Sequence, residues 1–210
     1  MGQQRFITFE GGEGTGKSTQ ARLLADRLAR DTGREVLLTR EPGGTDGAEA
    51  IRALLVNGST DRWSATAEAL LNYAARDDHL RRVIRPALER GAFVVCDRFA
   101  DSTRAYQGAG GGVDPALLDS LETIIIGETW PGLTLVLDIE PTIGLARAAS
   151  RRSGEGRFEA KDLSYHNALR QTFLERARAE PQRCVVINAE DAIEVVAERI
   201  WQVVASRGLA

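Results

Sequence analysis

The chain has 210 residues, a net charge of −3, 43% hydrophobic residues and 27% charged residues, as is typical of one globular domain. This charge argues against sequence-independent binding of nucleic acid, and no run approaches the roughly 20 apolar residues of a membrane helix. We therefore predict a single domain over residues 1–210, located in the cytoplasm, that binds neither nucleic acid nor membrane.

Short apolar runs alternate with stretches of helical periodicity along the chain. This alternation predicts an α/β fold, a three-layer sandwich with a five-stranded parallel sheet between helices. The predicted strands are 6–9, 36–39, 93–96, 133–139 and 184–187. The predicted helices are 17–31, 47–56, 64–90, 115–126, 142–152, 162–179 and 191–206. Pro86 predicts a kink or break in the third helix.

The first predicted strand is followed by Gly-x-x-x-x-Gly-Lys-Ser at residues 11–18, and a helix follows at once. In this context the pattern is typical of a phosphate-binding loop, since glycines let backbone N–H groups turn towards phosphate oxygens. Lys17 is expected to reach the outer phosphates, and the Ser18 hydroxyl to bind Mg²⁺. A glycine-rich turn without a ligand is the less favoured alternative, because both flanks fit the motif. The residues predicted to surround the phosphates are Gly11, Gly12, Glu13, Gly14, Thr15, Gly16, Lys17, Ser18 and Thr19.

Polar segments follow the ends of four predicted strands, at 10–19, 40–45, 97–99 and 138–141. Because ligands of open parallel sheets bind at the carboxyl ends of the strands, we expect these segments to converge on one cleft. Asp97 is placed to hold Mg²⁺ beside Ser18, and Arg98 to present its planar fork to a phosphate. Taken alone, an ordinary surface ion pair explains Asp97 and Arg98 equally well. Residues 100–112 favour a site, since their four glycines and many donors exceed what a simple connection needs.

A lid is predicted at about residues 150–160, where Arg151, Arg152 and Arg157 lie among glycines between two helices. Such a flap would bring positive charge onto phosphates, and phosphoryl transfer depends mostly on positioning and charge. From composition alone a solvated basic loop remains the alternative. Arg76 lies inside the third helix and, from the pattern alone, is expected to be solvated.

Two other classes of nucleotide-binding protein fit poorly. Guanine-binding switch proteins need an Asn-Lys-x-Asp motif, but Lys17 and Lys161 are the only lysines and Ala160 precedes the second. A motor or transport ATPase needs a coupled domain, for which the chain has no remaining length. A nucleotide-binding regulator without turnover stays open.

Several motifs together resemble those of bacterial thymidylate kinases over nearly the whole chain. The matching segments are 10–19, 39–45, 73–76, 97–108, 137–141 and 157–159. The phosphate loop is common to many families, whereas the block Asp-Arg-Phe…Ser…Ala-Tyr-Gln-Gly within 97–108 is specific. The resemblance implies a P-loop kinase that transfers the γ-phosphoryl group of ATP to dTMP with Mg²⁺, as a homodimer. A kinase for another nucleoside monophosphate, such as dUMP, or for a deoxynucleoside is the alternative.

The resemblance also implies roles for individual side chains. Arg98 is expected to grip the acceptor phosphate, Arg76 to hydrogen-bond thymine, and Tyr106 to exclude a ribose hydroxyl. The implied dTMP-binding residues are Glu13, Asn72, Arg76, Arg98, Ser102, Tyr106 and Gln107.

At two positions this sequence differs from other members of the family. One branch carries an arginine in the loop where this chain has Gly14, so the catalytic arginines are expected from the lid. The implied catalytic residues are Lys17, Arg98, Arg151, Arg152 and Arg157. Asn72 stands where the family usually has a phenylalanine that stacks on thymine. Either Tyr73 or Phe99 replaces that ring, or hydrogen bonds hold the base.

Overall fold

The computed structural model of the protein describes residues 3–150 and 157–209. Five parallel strands form one sheet in the order β2-β3-β1-β4-β5. They are Phe6–Glu10 (β1), Val36–Arg40 (β2), Phe93–Asp97 (β3), Leu133–Asp138 (β4) and Cys184–Asn188 (β5). Each predicted strand is confirmed to within one residue at either end, and so is the predicted parallel sheet flanked by helices.

Helices connect the strands and continue in places as wider π-helical turns. They are α1 (Lys17–Thr32), α2 (Asp46–Val56), α3 (Ala65–His79), α4 (Arg85–Glu89), α5 (Ala100–Thr103), α6 (Pro115–Leu121), α7 (Pro141–Ala149), α8 (Leu163–Ala179) and α9 (Ile193–Ser206). The π-helical turns are Leu80–Ile84, Arg104–Ala109 and Glu122–Ile126. The first of them joins α3 to α4, and the residues at its two ends keep right-handed helical angles. Pro86 lies in the first turn of α4, so the predicted kink or break takes the form of a π-helical turn just before the proline and the helix does not end there.

The sheet is buried on both faces. Ile7 and Phe9 of β1 pack with α1 and α9 on one face, whereas Phe6 packs with α3 and α4 on the other. This two-sided burial explains why the strands are nearly continuous apolar runs. Among the described residues, no helix is long and apolar enough to cross a membrane.

Residues 100–109 are helical, although their hydrophobic pattern does not predict a helix. Their buried side chains include Asp101, Ser102 and Gln107, so the inward face of this segment is polar. The segment follows β3, and its polar face lies towards the carboxyl edge of the sheet. It therefore positions side chains for a site rather than for the core.

Candidate active site

The phosphate-binding loop spans residues 11–16 between β1 and α1. Gly11, Gly14 and Gly16 all have positive φ angles, of 132°, 68° and 89°, which favour glycine. The Lys17 ammonium group is buried and donates to the Gly12 carbonyl oxygen at 2.6 Å and to Thr15 Oγ1 at 3.3 Å. The predicted strand–loop–helix arrangement is therefore present, with the lysine held against the loop.

The loop also packs closely against α7. A side chain at Gly14 would overlap the carbonyl oxygen of Gly144, and a Cβ at Gly144 would overlap the carbonyl oxygen of Glu13. The main chains of the phosphate loop and of α7 are therefore in direct contact at this point. On this backbone, position 14 has no room for an arginine.

Ser18 and Asp97 meet at the start of α1, as their predicted role as metal ligands requires. The Ser18 hydroxyl donates to Asp97 Oδ2. The other oxygen, Asp97 Oδ1, is buried and has no hydrogen-bond partner among the described residues. A hydroxyl and an unpartnered carboxylate oxygen are the hard oxygen ligands that Mg²⁺ prefers.

Arg98 lies directly after β3 in a left-handed backbone conformation, with φ of 71°. Such strain in a residue with a side chain is concentrated at functional sites. Its guanidinium group donates to the Gly11 carbonyl oxygen and to Ser102 Oγ, both at 3.1 Å, and pairs with Glu13 at 3.1 Å. It also lies 4.9 Å from the centre of the Tyr106 ring. Arg98 is therefore a fixed cation beside the loop rather than one half of a surface ion pair.

Glu13 joins the loop to this cation. Its carboxylate pairs with Arg98 and accepts a hydrogen bond of 2.7 Å from the Tyr106 hydroxyl. Burial alone would raise the pKa of Glu13, but Arg98, Lys17 and the bond from Tyr106 together lower it to about 2. Glu13 is thus an anion at neutral pH and holds both neighbours in place.

Two adjoining hollows open at this edge of the sheet. The inner cavity, of about 130 Å³, is lined by Glu13, Glu41, Pro42, Arg52, Leu55, Val56, Asn72, Arg76, Arg98, Phe99, Ser102, Thr103, Tyr106, Gln107 and Phe158. The loop cleft, of about 260 Å³, is lined by Glu13, Gly14, Gly16, Lys17, Ser18, Arg40, Glu41, Arg52, Asp97, Arg98 and Glu159. Four residues line both hollows, namely Glu13, Glu41, Arg52 and Arg98. The two hollows therefore adjoin, with Arg98 in the wall that they share.

Arg76 is buried, which corrects the expectation from helical pattern that it is solvated; its side chain is 2% exposed. Glu41 accepts a 2.7 Å bond from Arg76 Nε, and Thr103 Oγ1 accepts a 3.1 Å bond from one terminal nitrogen. His79 braces Glu41 from the other side at 3.1 Å. The remaining terminal nitrogen, Nη1, is buried with no partner among the described residues. This arginine of the inner cavity therefore keeps a donor for a ligand's acceptor atom.

Aromatic rings line the inner cavity around this donor. Phe99, Tyr106 and Phe158 are among the lining residues. Tyr73 is not, because it is fully buried with its hydroxyl bonded to Glu122 at 3.1 Å, so it does not replace the missing stacking ring. Asn72 lines the cavity and donates to the Glu68 carbonyl oxygen at 2.9 Å.

Ser102 and Gln107 also reach the inner cavity, as the resemblance implies. The Ser102 hydroxyl donates to Glu10 at 2.5 Å, and Glu10 accepts a further 2.8 Å bond from the Phe99 amide. Burial, together with the neighbouring Asp101, raises the pKa of Glu10. Glu10 was not predicted as a site residue. Through these two hydrogen bonds it holds the start of α5 in place.

Arg157, predicted to be a catalytic lid arginine, is not among the residues that line the loop cleft in this structure. Its side chain is 2% exposed and pairs with Glu68 at 2.6 Å. Removing one partner of a buried ion pair costs about 3–5 kcal/mol, so this guanidinium group does not move readily to a phosphate. Arg151 and Arg152 lie outside the described residues.

The fourth polar segment, 138–141, does not join the loop cleft, which corrects the expectation of a single cleft. Asp138, Ile139 and Pro141 line a separate cavity on the other side of the phosphate loop. The loop separates the two because it packs against α7, the helix that follows β4. Asp138 is paired with Arg170 at 2.7 Å.

Comparisons with known proteins agree with one another. A family model described as thymidylate kinase matches residues 9–200. The thymidylate kinase of Caulobacter vibrioides is 58% identical over 207 residues, covering 99% of each chain. That of a Bradyrhizobium strain is 52% identical, covering 98% of this chain and 92% of the relative. The crystal structure of thymidylate kinase from Ehrlichia chaffeensis matches with a TM-score of 0.79 and 34% identity, covering 95% of this chain and 97% of that chain.

The chain belongs to the thymidylate kinase family. This confirms the resemblance read from the motifs, and the matched residues include the phosphate loop, Arg76 and Arg98. Within this family member, several residues of the site escape sequence reasoning, namely Glu10, Glu41, Glu68 and Phe158. Three of them, Glu10, Glu41 and Phe158, stand inside the matching segments 10–19, 39–45 and 157–159, which is the signal that could have found them.

Proposed function

We propose that this protein transfers the γ-phosphoryl group of ATP to dTMP, giving dTDP and ADP. The observation that carries the proposal is that the inner cavity adjoins the loop cleft, with Arg98 lining both. A nucleoside monophosphate kinase brings two phosphate-bearing substrates together, and this geometry offers one hollow to each. Membership of the thymidylate kinase family supports dTMP as the acceptor.

The donor occupies the loop cleft in this proposal. Backbone N–H groups of the glycine-rich loop and the N-terminus of α1 would hold the ATP phosphates. Lys17 would neutralise charge on the outer phosphates. An oxygen of the dTMP phosphate forms a bond to the γ-phosphorus, while the bond to the β–γ bridging oxygen breaks and ADP leaves with the electron pair.

Ser18 and Asp97 are the residues that would hold Mg²⁺, and the unpartnered Asp97 Oδ1 supports this fit. Mg²⁺ bound there would offset negative charge on the β- and γ-phosphate oxygens. Arg151 and Arg152 remain our proposed source of further positive charge at the transferring group.

The acceptor occupies the inner cavity. Arg98 would pair with the dTMP phosphate through its planar fork. Arg76 would donate a hydrogen bond from its unpartnered Nη1 to a carbonyl oxygen of thymine, because a buried donor without a partner is costly. The Tyr106 hydroxyl, bonded to Glu13, would stand beside the sugar and disfavour a ribose hydroxyl.

A coupled assay of ADP release tests the proposal directly. Wild-type protein is incubated with Mg²⁺ and ATP together with dTMP, dUMP, dCMP, dGMP or thymidine. We expect turnover to be fastest with dTMP. Some turnover of dUMP is compatible with the proposal, since one methyl group contributes only about 1–3 kcal/mol of discrimination. Absence of dTMP-dependent ADP release would show that the proposal is wrong.

The pH dependence of ATP binding follows from the environment of Lys17. Burial, with Arg98 nearby, lowers the pKa of Lys17 to about 8. The ammonium group therefore loses its proton as the pH rises through 8, and only the protonated form attracts phosphate. With Mg²⁺ present, so that the triphosphate stays fully ionised over the range, we expect ATP affinity to be constant below pH 7 and to fall by up to about tenfold per pH unit above pH 8. Calorimetric titration from pH 6.5 to 9.5 measures it, and Lys17→Met should abolish the dependence.

Asn72→Phe should strengthen dTMP binding. A base–aromatic stack contributes roughly 1–3 kcal/mol, and the asparagine amide offers no such face to the inner cavity. We therefore expect KM for dTMP to fall about 5- to 150-fold if the ring reaches the base. Steady-state kinetics at saturating ATP measures the change, and KM for ATP serves as the internal control. An unchanged or higher KM for dTMP would refute the stacking argument.

We also propose a cytoplasmic homodimer, as the family resemblance implies. Exposed apolar side chains on α2, on α3 and after α6 support a contact surface, namely Leu54, Leu70 and Ile124. Ile124 is 78% exposed, the largest exposed fraction of any large hydrophobic side chain among the described residues. Sedimentation velocity should report a dimer for the wild type and a monomer for Ile124→Glu. A wild-type monomer at micromolar concentration would contradict the proposal.

A further inference from the structure

Arg157 is bonded to the end of α2, to the loop that follows it and to the start of α3. Its guanidinium group donates to the carbonyl oxygens of Leu55 at 3.1 Å, Ser59 at 2.8 Å and Thr60 at 3.2 Å. Leu55 is in the last turn of α2, where carbonyl groups lack helical partners and the helix dipole favours a cation. The ion pair with Glu68 completes the set. Arg157 therefore ties its own segment of chain to the wall of the inner cavity.

Glu68 links Arg157 to side chains that line the inner cavity. One carboxylate oxygen pairs with Arg157, and the other accepts a 2.9 Å hydrogen bond from Gln107 Nε2. The backbone carbonyl oxygen of the same residue accepts from Asn72. Because Glu68 is buried, its two oxygens are fixed by these partners. The orientation of the Gln107 amide thus depends on the ion pair behind it.

Phe158 follows Arg157 directly and lines the inner cavity. Its ring meets the Tyr106 ring edge to face, with centroids 5.5 Å apart and planes at 89°. Arg157 also lies 5.3 Å from the centre of the Phe158 ring. A short chain segment can hold a ring in one place only when its backbone is anchored, and Arg157 supplies that anchor.

We propose that Phe158 contacts the base of the acceptor nucleotide, and that Arg157 and Glu68 are positioning residues that hold Phe158 and Gln107 against it. The inference rests on the proposed function, since it assigns the base to the inner cavity. It also gives Arg157 a role different from catalysis. The charge of this arginine acts on the shape of the acceptor site and not on the transferring phosphoryl group.

Steady-state kinetics of three variants tests the assignment, with KM for each substrate and kcat measured separately. Phe158→Leu keeps apolar volume but loses the ring, and we expect KM for dTMP to rise about 5- to 50-fold with kcat within threefold. Arg157→Met should raise KM for dTMP similarly and leave KM for ATP unchanged. The double variant should be no worse than the more severe single variant, because one residue acts through the other.

A probe without a base separates base contact from general damage to the site. We expect the inhibition constant of 2-deoxyribose 5-phosphate, measured against dTMP, to be the same in wild type and Phe158→Leu. An equal weakening of this probe and of dTMP would overturn the proposal. So would an unchanged KM for dTMP in Phe158→Leu.

Arg85→Met is the matched control for loss of a carbonyl-binding arginine. Arg85 donates to the carbonyl oxygens of Ile125 at 2.8 Å and Ile126 at 3.2 Å, away from the inner cavity. We expect it to lower thermal stability without changing KM for dTMP. If Arg157→Met instead lowers kcat by 10³ or more, as loss of a catalytic arginine does, the positioning role is refuted. If Arg157→Met does not fold, Phe158→Leu and Glu68→Gln decide alone. A wild type that does not phosphorylate dTMP would refute the proposed function itself, which is a separate outcome.

Discussion

Replacing Lys17 with alanine is expected to lower kcat by about 10²- to 10³-fold, the usual result of removing one preorganised donor from a charged transition state. The Lys17 ammonium group is buried against the phosphate loop and bonded to the Gly12 carbonyl oxygen. As the γ-phosphoryl group moves, charge develops at the oxygens this ammonium group would neutralise. The coupled ADP-release assay at saturating dTMP and ATP measures the loss.

The chain offers a matched control for this variant. Lys161 is its other lysine, and its ammonium group lies 5.8 Å from the centre of the Tyr165 ring. We expect Lys161→Ala to keep kcat within about twofold, because it removes the same charge at a distance from the loop. Wild-type kcat in Lys17→Ala would refute the assigned role.

Replacing Arg98 with alanine is expected to lower kcat/KM for dTMP by about 30-fold or more, with the loss mainly in KM for dTMP. Arg98 and Glu13 are each 19% exposed, so the pair is partly buried. Truncating one partner of a fully buried charge pair costs about 2–5 kcal/mol, and we expect a loss near the lower end here, where both the acceptor phosphate and Glu13 would lose their cation. Initial rates over a wide range of dTMP concentration separate KM from kcat.

Arg98→Lys shows whether charge alone is enough. A lysine keeps the positive charge but cannot reproduce the planar fork that reaches Gly11, Glu13 and Ser102 together. We therefore expect only partial recovery of kcat/KM for dTMP, while KM for ATP stays near the wild-type value in both variants. Full recovery of kcat/KM for dTMP in Arg98→Lys would show that the planar guanidinium group is not required.

Local sequence patterns predict the sheet because the strands are apolar on both faces and end at polar segments. They miss the helix at 100–109 because its inward face carries Asp101, Ser102 and Gln107 instead of apolar residues. Hydrophobic periodicity identifies a helix through its core-facing stripe, and here that stripe serves the ligand site. A failure of the pattern at a functional segment is expected on physical grounds.

The environments of the buried arginines cannot be predicted from local sequence patterns. Arg76 is held by Glu41, and Arg157 by Glu68, partners 35 and 89 residues away along the chain. No local pattern tells a solvated arginine from one paired across the fold. The resemblance placed Arg76 correctly at the cavity but grouped Arg157 with catalytic residues, since composition shows the charge of a side chain and not its partner.

The contact between Gly14 and Gly144 restricts how this enzyme family can change. The arginines that we propose after α7 would supply the charge that an arginine in the loop supplies in the other branch, yet a side chain at position 14 would overlap the Gly144 carbonyl oxygen. On this backbone the exchange cannot occur through one substitution. A lineage passing from one arrangement to the other must first move α7 away from the loop. Positions 14 and 144 should therefore vary together, as a pair constrained by main-chain contact.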